Sequence, residues 1–252
     1  MDPLRDDLGY AVQMSRPPRR VVSLVPSVTE AIAATCPQLL VGATDWCTRP
    51  PGLAVRRVRG TKNPDRQAIA ALQPDLVVAN KEENRELDVR RLRQAGIPVW
   101  VTDIETVPGA LASLERLLCE VLGQQRPGWL SAAASEWAGP VPEPTARVVV
   151  AIWRDPWMAV GRDTFAGDLV ARLGWHNVLG HAADRYPRVP LEELDRADVD
   201  VVLLPDEPYP FTPSDGPEAF NRARTALVSG RLLTWYGPSL VGARAALHAA
   251  VG

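Results

Sequence analysis

The sequence predicts an α/β protein with two lobes of mainly parallel sheet, bridged by a helical spine. Short apolar runs alternate with helical patterns over residues 21–101, and the same alternation returns over residues 147–251. Such alternation is typical of parallel sheets covered by helices. Between the two series, apolar residues recur at three- and four-residue spacing, the period of an amphipathic helix. We therefore expect three parts, namely an amino-terminal lobe, a bridging segment and a carboxy-terminal lobe, over residues 1–104, 105–144 and 145–252.

In the amino-terminal lobe, continuous apolar runs predict strands, and capping or proline signals predict the helices between them. The expected strands are residues 21–25, 39–43, 76–79 and 97–101. The expected helices are residues 27–34, 64–72 and 83–95. Ser27 stands three residues before Glu30, which is a capping pattern, and Gly96 suits the end of the third helix. Residues 1–20 are expected to be irregular or to form an edge.

The bridging segment predicts a helix, a break and a second helix. Residues 107–122 carry the apolar stripe, with Thr106 placed to cap the start and Gly123 to end it. A helix of that length spans roughly 24 Å. The helical period continues over residues 129–137 and ends at a Gly-Pro pair. This segment is expected to act as a helical spine between the lobes.

The carboxy-terminal lobe repeats the pattern after a proline-rich linker over residues 139–145. The expected strands are residues 147–153, 199–204 and 232–236. The expected helices are residues 165–173, 191–197 and 240–251. β-Branched residues and flanking Pro or Asp favour strands over buried helix pieces in these short apolar runs.

Composition limits the classes of function. The 252 residues are 46% hydrophobic and carry a net charge of −2, which argues against a nucleic-acid partner. The three cysteines have no CxxC spacing, so we expect no disulfide framework and a reducing compartment. No secretory signal or run of 18 apolar residues occurs, so we expect a cytoplasmic protein without stable membrane association. If an export leader precedes the sequence, the expected location is periplasmic or extracytoplasmic.

Aromatic residues concentrate where the predicted strands end. Ligands of parallel α/β lobes bind beyond the carboxyl ends of the strands. The aromatic residues in or near these loops are Trp46, Trp153, Trp157, Tyr186, Tyr209, Phe211, Trp235 and Tyr236. Aromatic side chains in loops are typical of a pocket for a large flat ligand. The alternative, that Trp157 and Phe211 simply pack beneath their own loops, stays open.

Several stretches over residues 19–250 resemble one known family, in the order in which that family has them. In the first lobe they are RVVSLVPSVTEAIAA, VGATDWCTRPP, ALQPDLVVANKEEN and AGIPVWVTD. In the second they are AIWRDPWMAVGRDTFAGDLVARLGWHNVL, YPRVPLEEL, VVLLPDEPYPF and TWYGPSL. The family is the helical-backbone (class III) solute-binding proteins, and the most similar branch is the vitamin B12-binding proteins of ABC import. The resemblance implies two α/β lobes bridged by a rigid helix, with cobalamin, haem or a ferric siderophore held in the cleft between them.

The resemblance also implies roles for individual residues. Trp46 falls where the B12-binding branch places a cleft aromatic, whereas Thr61 and Asn80 replace tryptophans found in some members. The ligand wall is then more polar, through Thr61, Lys62, Asn63 and Asn80, which argues against cobalamin itself. Residues 60–64, GTKNP, resemble a motif of a leaderless subgroup, and its role is not assigned by the sequence. In importers of the family a glutamate on each lobe docks with the permease, and the matching residues are Glu86 and Glu192.

The first hypothesis is that the chain binds a bulky metal chelate (corrinoid, haem or siderophore-like) between aromatic walls, without catalysis. The residues expected to contact this small molecule are Trp46, Cys47, Thr61, Lys62, Asn63, Asn80, Glu82, Trp153, Trp157, Tyr186, Tyr209, Trp235 and Tyr236.

Two other hypotheses remain. One is a cytoplasmic enzyme that uses the same cleft, with Cys47, Lys62, Glu82 or Asp206 as polar actors. The other is an ABC-importer receptor, which would dock on a permease only if it is exported. No GxSxG, Walker or GxGxxG motif occurs, so no catalytic residue is assigned. The three histidines lack the spacing of a chelating pair, so no directly bound metal is expected. No cofactor is assigned beyond a corrinoid or other metal chelate as the ligand.

Overall fold

A computed structural model describes residues 4–14 and 17–252 of the chain. These residues form two compact units. The first contains the described residues up to Ile104, together with Ala110–Ala133 and Tyr236–Pro238. The second contains Glu105–Gly109, Ala134–Trp235 and Ser239–Gly252. Each unit has its own mainly parallel sheet, so the predicted two-lobe α/β fold class is confirmed.

The first unit is built on a parallel sheet with the strand order β3-β2-β1-β6-β7. Its strands are β1 Val21–Ser23, β2 Leu40–Ala43, β3 Arg56–Arg57, β6 Leu76–Asn80 and β7 Val99–Thr102. A separate antiparallel hairpin pairs β4 Arg59–Gly60 with β5 Asn63–Pro64. The four predicted strands are confirmed. The sequence did not predict β3 or the hairpin, because strands of two residues with exposed arginines carry no apolar run.

The helices of the first unit are α1 Pro26–Thr35, α2 Arg66–Ala71 and α3 Glu86–Gln94. The predicted capping role of Ser27 is wrong, because Pro26 is already the first helical residue and Ser27 is buried within α1. Asp65 caps α2 instead, accepting a hydrogen bond from the Ala68 N–H at 3.0 Å. That bond lowers the pKa of the Asp65 carboxyl.

The bridging segment is helical, as predicted, but not uniformly α-helical. After α4, Val107–Glu115, the chain continues as a wider π-helical stretch, Arg116–Val121, and α5 follows at Gly128–Glu136. Thr106 Oγ1 accepts a hydrogen bond from the Gly109 N–H at 3.1 Å, which confirms the predicted cap. Periodicity does not distinguish the π-helical stretch from α-helix, because both place apolar side chains toward one core.

An amino-terminal strap over residues 4–14 runs across the first unit. The Asp7 carboxylate accepts hydrogen bonds from the Ser113 hydroxyl at 2.5 Å and from Arg116 at 2.7 Å, so it holds the start of the π-helical stretch. Asp6 is buried against Arg93 at 2.6 Å. The prediction of an irregular segment over residues 1–20 falls partly outside the described residues, which omit 1–3 and 15–16.

The second unit is built on a parallel sheet with the order β10-β8-β11-β12. Its strands are β8 Ala146–Trp153, β9 Met158–Ala159, β10 Trp175–Asn177, β11 Val201–Pro205 and β12 Arg224–Val228, with β9 antiparallel to β8. Its helices are α6 Phe165–Arg172, α7 Leu191–Leu194, α8 Gly230–Thr234 and α9 Ala243–Val251. The strand predicted over residues 232–236 is wrong, since α8 occupies most of that stretch and β12 lies before it. A short apolar run fits a buried helix as well as a strand.

No helix within residues 4–14 and 17–252 is both long and apolar enough to cross a membrane. Each sheet carries its own buried apolar cluster. Val22, Ile69 and Val77 belong to that of the first unit, and Val149, Val202 and Leu204 to that of the second.

The buried thiol of Cys36, at the end of α1, predicts a loss of stability at alkaline pH. Burial raises the pKa of this thiol from 9.0 to about 11. The folded protein therefore holds the proton more tightly than the unfolded chain does. The contribution of the protonated Cys36 thiol to the free energy of unfolding is complete below pH 9 and is lost as the pH rises through about 11.

Urea unfolding of wild type and Cys36→Ala measures the effect. Between pH 8 and pH 10.5, the free energy of unfolding of wild type should fall relative to that of the variant by roughly 2 kcal/mol. A difference between the two proteins that does not change with pH would contradict the expectation.

Candidate functional site

The first unit presents an exposed tryptophan at the carboxyl end of β2. Residues 44–48, the Trp46 turn, form a tight bend in which the Cys47 N–H donates to the Thr44 carbonyl at 3.1 Å. Trp46 lies at the tip of this turn with 67% of its surface exposed. An indole exposed to this extent can lose much apolar surface to a ligand, which makes it a candidate contact.

The polar candidates Thr61, Lys62 and Asn63 lie on the hairpin beside the Trp46 turn. Lys62 and Asn63 are exposed, and Thr61 is half-buried. The hairpin is tied to the loop after β6, because the Asn84 amide donates to the Thr61 carbonyl at 2.9 Å and Lys62 Nζ donates to the Glu82 carbonyl at 2.5 Å. The side chain of Glu82 is exposed on this loop. These polar side chains therefore share one end of the first unit with Trp46.

Cys47 does not occupy the place predicted for it. It is fully buried, and its sulfur meets the Thr29 hydroxyl at 3.0 Å and the Thr44 hydroxyl at 3.1 Å. Burial raises the pKa of the Cys47 thiol, so the neutral form is favoured. A buried neutral thiol is neither a soft metal ligand nor a nucleophile. The structure corrects the prediction that this side chain contacts a ligand.

Asn80 is also internal to the first unit, with 3% of its surface exposed. Its Oδ1 accepts hydrogen bonds from the N–H groups of Glu82 and Glu83, at 2.8 and 3.1 Å. Its Nδ2 donates to Thr102 Oγ1 at 3.1 Å. The amide shapes the loop after β6 and does not face solvent, which contradicts its predicted place on the ligand wall.

Tyr236 packs with the first unit, although the sequence assigned it to the second lobe. Only 6% of its surface is exposed, and its hydroxyl donates to Glu83 Oε1 at 3.3 Å. Burial, together with the nearby Glu83 carboxylate, raises the pKa of the Tyr236 phenol well above its usual value. Tyr236 is thus a neutral internal donor here. The next residue, Gly237, has φ +146° and lies against the Ser27 carbonyl, a conformation that favours glycine.

The second unit presents Trp153 at the carboxyl end of β8, with 43% of its surface exposed. Its ring meets that of Tyr209 edge to face at a centroid distance of 5.4 Å. The Tyr209 hydroxyl donates to Asp215 Oδ2 at 2.7 Å, and Asp215 also pairs with Arg154. Arg154 pairs with Glu218 at 2.6 Å, which lowers the pKa of the Glu218 carboxyl. Trp153 therefore rests on an aromatic ring that an ion-pair network holds in place.

The other aromatic candidates of the second unit are less exposed. Trp157 stacks on Phe211 at 5.9 Å and meets Phe220 edge to face at 5.3 Å, which confirms local packing for Trp157 and Phe211. Trp235 is buried with 9% of its surface exposed, and Tyr186 is half-buried. The burial of Trp235 contradicts its predicted ligand contact. Trp157 is half-buried, and its ligand contact stays a prediction. Sequence alone does not separate an aromatic in a loop from one packed beneath it.

The two glutamates predicted to dock on a permease lie at the surface. Glu86, in the first turn of α3, and Glu192, in α7, are both exposed. Over the described ranges, 4–14 and 17–252, no group of three or more His, Cys, Asp or Glu side chains could hold a metal ion.

Solved structures of similar proteins define the class of fold. The periplasmic heme-binding protein RhuT of Roseiflexus sp. RS-1 is 20% identical, with a TM-score of 0.70 over 93% of this chain and 99% of that chain. The periplasmic vitamin B12 binding protein BtuF of Vibrio cholerae is 18% identical, with a TM-score of 0.70 over 93% of this chain and 97% of that chain. The chain has the two-lobe α/β fold of the class III periplasmic binding proteins.

Similarity of sequence points to the same class. A vitamin B12-binding protein of Pectobacterium carotovorum is 24% identical in an alignment 203 positions long, which covers 76% of this chain and 72% of that relative. No protein-family model matches the chain. The resemblance to vitamin B12-binding solute-binding proteins is confirmed. The predicted cytoplasmic location is not supported, since the two structural neighbours above are described as periplasmic.

Proposed function

We propose that this protein is a receptor that binds a bulky metal chelate of the corrinoid, haem or siderophore class without catalysing a reaction. The observation that carries the proposal is the pair of exposed indoles. Trp46 is 67% exposed on the first unit and Trp153 is 43% exposed on the second, each at the carboxyl end of a parallel strand. Tryptophan faces in that position suit a flat apolar ligand.

The relatives support the same class of ligand. One structural neighbour is described as a heme-binding protein, and the sequence relative and another neighbour as vitamin B12-binding proteins. Haem and corrinoids share a flat metal-bearing macrocycle, which is the shape that an aromatic face contacts best. The buried, neutral Cys47 argues against the enzymatic alternative, since it removes the strongest nucleophile among the residues considered for it.

We further propose that the protein works outside the cytoplasm and delivers its ligand to an ABC permease. The support is the periplasmic description of both structural neighbours and the exposure of Glu86 and Glu192. Exposed carboxylates pair readily with arginines of a partner surface. Charge reversal at both positions should then reduce ligand delivery and leave ligand affinity unchanged.

Titration of the purified chain with hemin, cyanocobalamin and a ferric siderophore tests the proposed ligand class. We expect one of the three to bind with a dissociation constant of roughly 1 μM or lower. The bound chelate should remain with the protein through gel filtration, at one per chain, and be released chemically intact. Calorimetry, tryptophan quenching and the absorbance of the eluted complex measure these properties.

Val141→Ala is a suitable control for the replacement of Trp46 or Trp153 by alanine, because Val141 is an exposed apolar residue in the linker before β8. It should bind like the wild type. Failure of all three chelates to bind, or chemical conversion of a bound one, would overturn the proposal.

A further inference from the structure

We propose that Arg57 and the hairpin of residues 59–64 are positioning elements that hold Trp46 as a pre-formed platform for the ligand. This inference rests on the proposed function, and it assigns a role to the GTKNP stretch of residues 60–64. Three sets of contacts lead to it: one through Arg57, one through Cys47 and one through Gly60.

Arg57 clamps both ends of the Trp46 turn. Its Nη1 donates to the carbonyls of Thr44 and Cys47, each at 2.9 Å. These two carbonyls lie on either side of Trp46 in the chain. Hydrogen bonds from a charged donor are stronger than neutral ones, so a single guanidinium closes the turn from outside.

The residue after Trp46 anchors the turn from inside. Cys47 is fully buried, with its sulfur between the hydroxyls of Thr29 and Thr44. The Thr48 N–H in turn donates to the Trp46 carbonyl at 2.9 Å. The backbone on the carboxyl side of Trp46 is therefore fixed to the core, and this is the structural use of a thiol that the proposed ligand does not touch.

The hairpin supports the other side of the turn. The Asp45 N–H donates to the Arg59 carbonyl at 2.9 Å. A methyl group on Gly60 would overlap Asn63 Oδ1 and lie 3.4 Å from Trp46 Nε1. Glycine at position 60 thus permits the closed hairpin, and the indole of Trp46 lies at ordinary contact distance from this position.

The hairpin is itself held in place, by the bonds from Asn84 to the Thr61 carbonyl and from Lys62 to the Glu82 carbonyl. The side chain of Trp46 is therefore exposed, while the turn that carries it is held in place by hydrogen bonds. An aromatic ring ordered before the ligand arrives avoids the cost of ordering it on binding, which raises affinity without adding a contact.

The substitutions Arg57→Met and Gly60→Ala test the inference, with Arg56→Met as the matched control. Arg57→Met keeps an apolar stem and removes the donors. Arg56 is the neighbouring exposed arginine of β3. We expect both test variants to weaken binding of hemin or cyanocobalamin by roughly three- to tenfold. The control should bind like the wild type.

Fluorine NMR of the 5-fluorotryptophan protein gives a readout that a merely structural role would not move. The Trp46 signal, assigned with Trp46→Phe, should shift or broaden in Arg57→Met and Gly60→Ala and remain unchanged in Arg56→Met. An unchanged Trp46 signal in both test variants would overturn the inference, even if their melting temperatures fall. If hemin, cyanocobalamin and the ferric siderophore all fail to bind the wild type, the proposed function fails, and the fluorine spectra alone decide whether Trp46 is positioned as inferred.

Discussion

Replacing Trp46 or Trp153 by alanine is expected to weaken chelate binding about tenfold in each case, while leaving the unfolding midpoint nearly unchanged. The two indoles are 67% and 43% exposed, so their removal leaves no large cavity. Each aromatic face that a flat ligand desolvates contributes on the order of 1 kcal/mol or more beyond the apolar area itself. Trp46 should show the larger effect, since more of its surface is available.

Melting and ligand titration on the same samples separate a binding role from a packing role. Trp157→Ala serves as the opposite control, because this ring stacks on Phe211. Truncation of a packed aromatic costs about 3–5 kcal/mol, so this variant should melt early. Normal binding by both Trp46→Ala and Trp153→Ala would exclude these residues from the ligand site. Early melting of both, without a separate loss of affinity, would show that the rings act in packing.

Replacing Asp6 by alanine is expected to destabilise the first unit by about 3–5 kcal/mol. The Asp6 carboxylate is 3% exposed and lies 2.6 Å from Arg93. Its Oδ1 accepts the N–H groups of Leu8 and Tyr10, at 3.1 and 2.9 Å. Without the carboxylate, a mostly buried guanidinium and these amides lose their partner, which costs more than the pair itself contributes.

Urea unfolding followed by circular dichroism and tryptophan fluorescence measures this loss, with the transitions of the two units fitted separately. The matched control is Arg162→Ala, because Arg162 forms a surface pair with Asp163 at 3.5 Å and is 55% exposed. Surface pairs of this kind contribute roughly 0–1 kcal/mol. A loss below about 1 kcal/mol for Asp6→Ala would mean that the amino-terminal strap does not stabilise the first unit.

The apolar runs of the sequence were sufficient to predict the class of fold and most of the strands. A buried parallel strand must be apolar on both faces, so strands such as Leu76–Asn80 and Val201–Pro205 stand out without any knowledge of their partners. The same rule missed β12, whose pattern alternates between exposed and buried residues, and it misread the short buried helix that follows. The sequence pattern alone does not distinguish a half-exposed strand from a short buried helix. Which residues are buried depends on the elements that pack against them in the folded chain.

The sequence by itself determined that aromatic residues follow the strands of both lobes, which was enough to select Trp46 and Trp153. Only the tertiary structure decided which side chains remain exposed. Cys47 and Asn80 are internal because hydroxyl and amide partners from other parts of the chain reach them, and Tyr236 joins the first unit although it lies far along the chain. The clamp on Trp46 likewise depends on Arg57 and Gly60, which adopt their roles only when the hairpin folds against the turn. Hydrogen bonds between distant residues carry no local pattern, so only the folded chain specifies them.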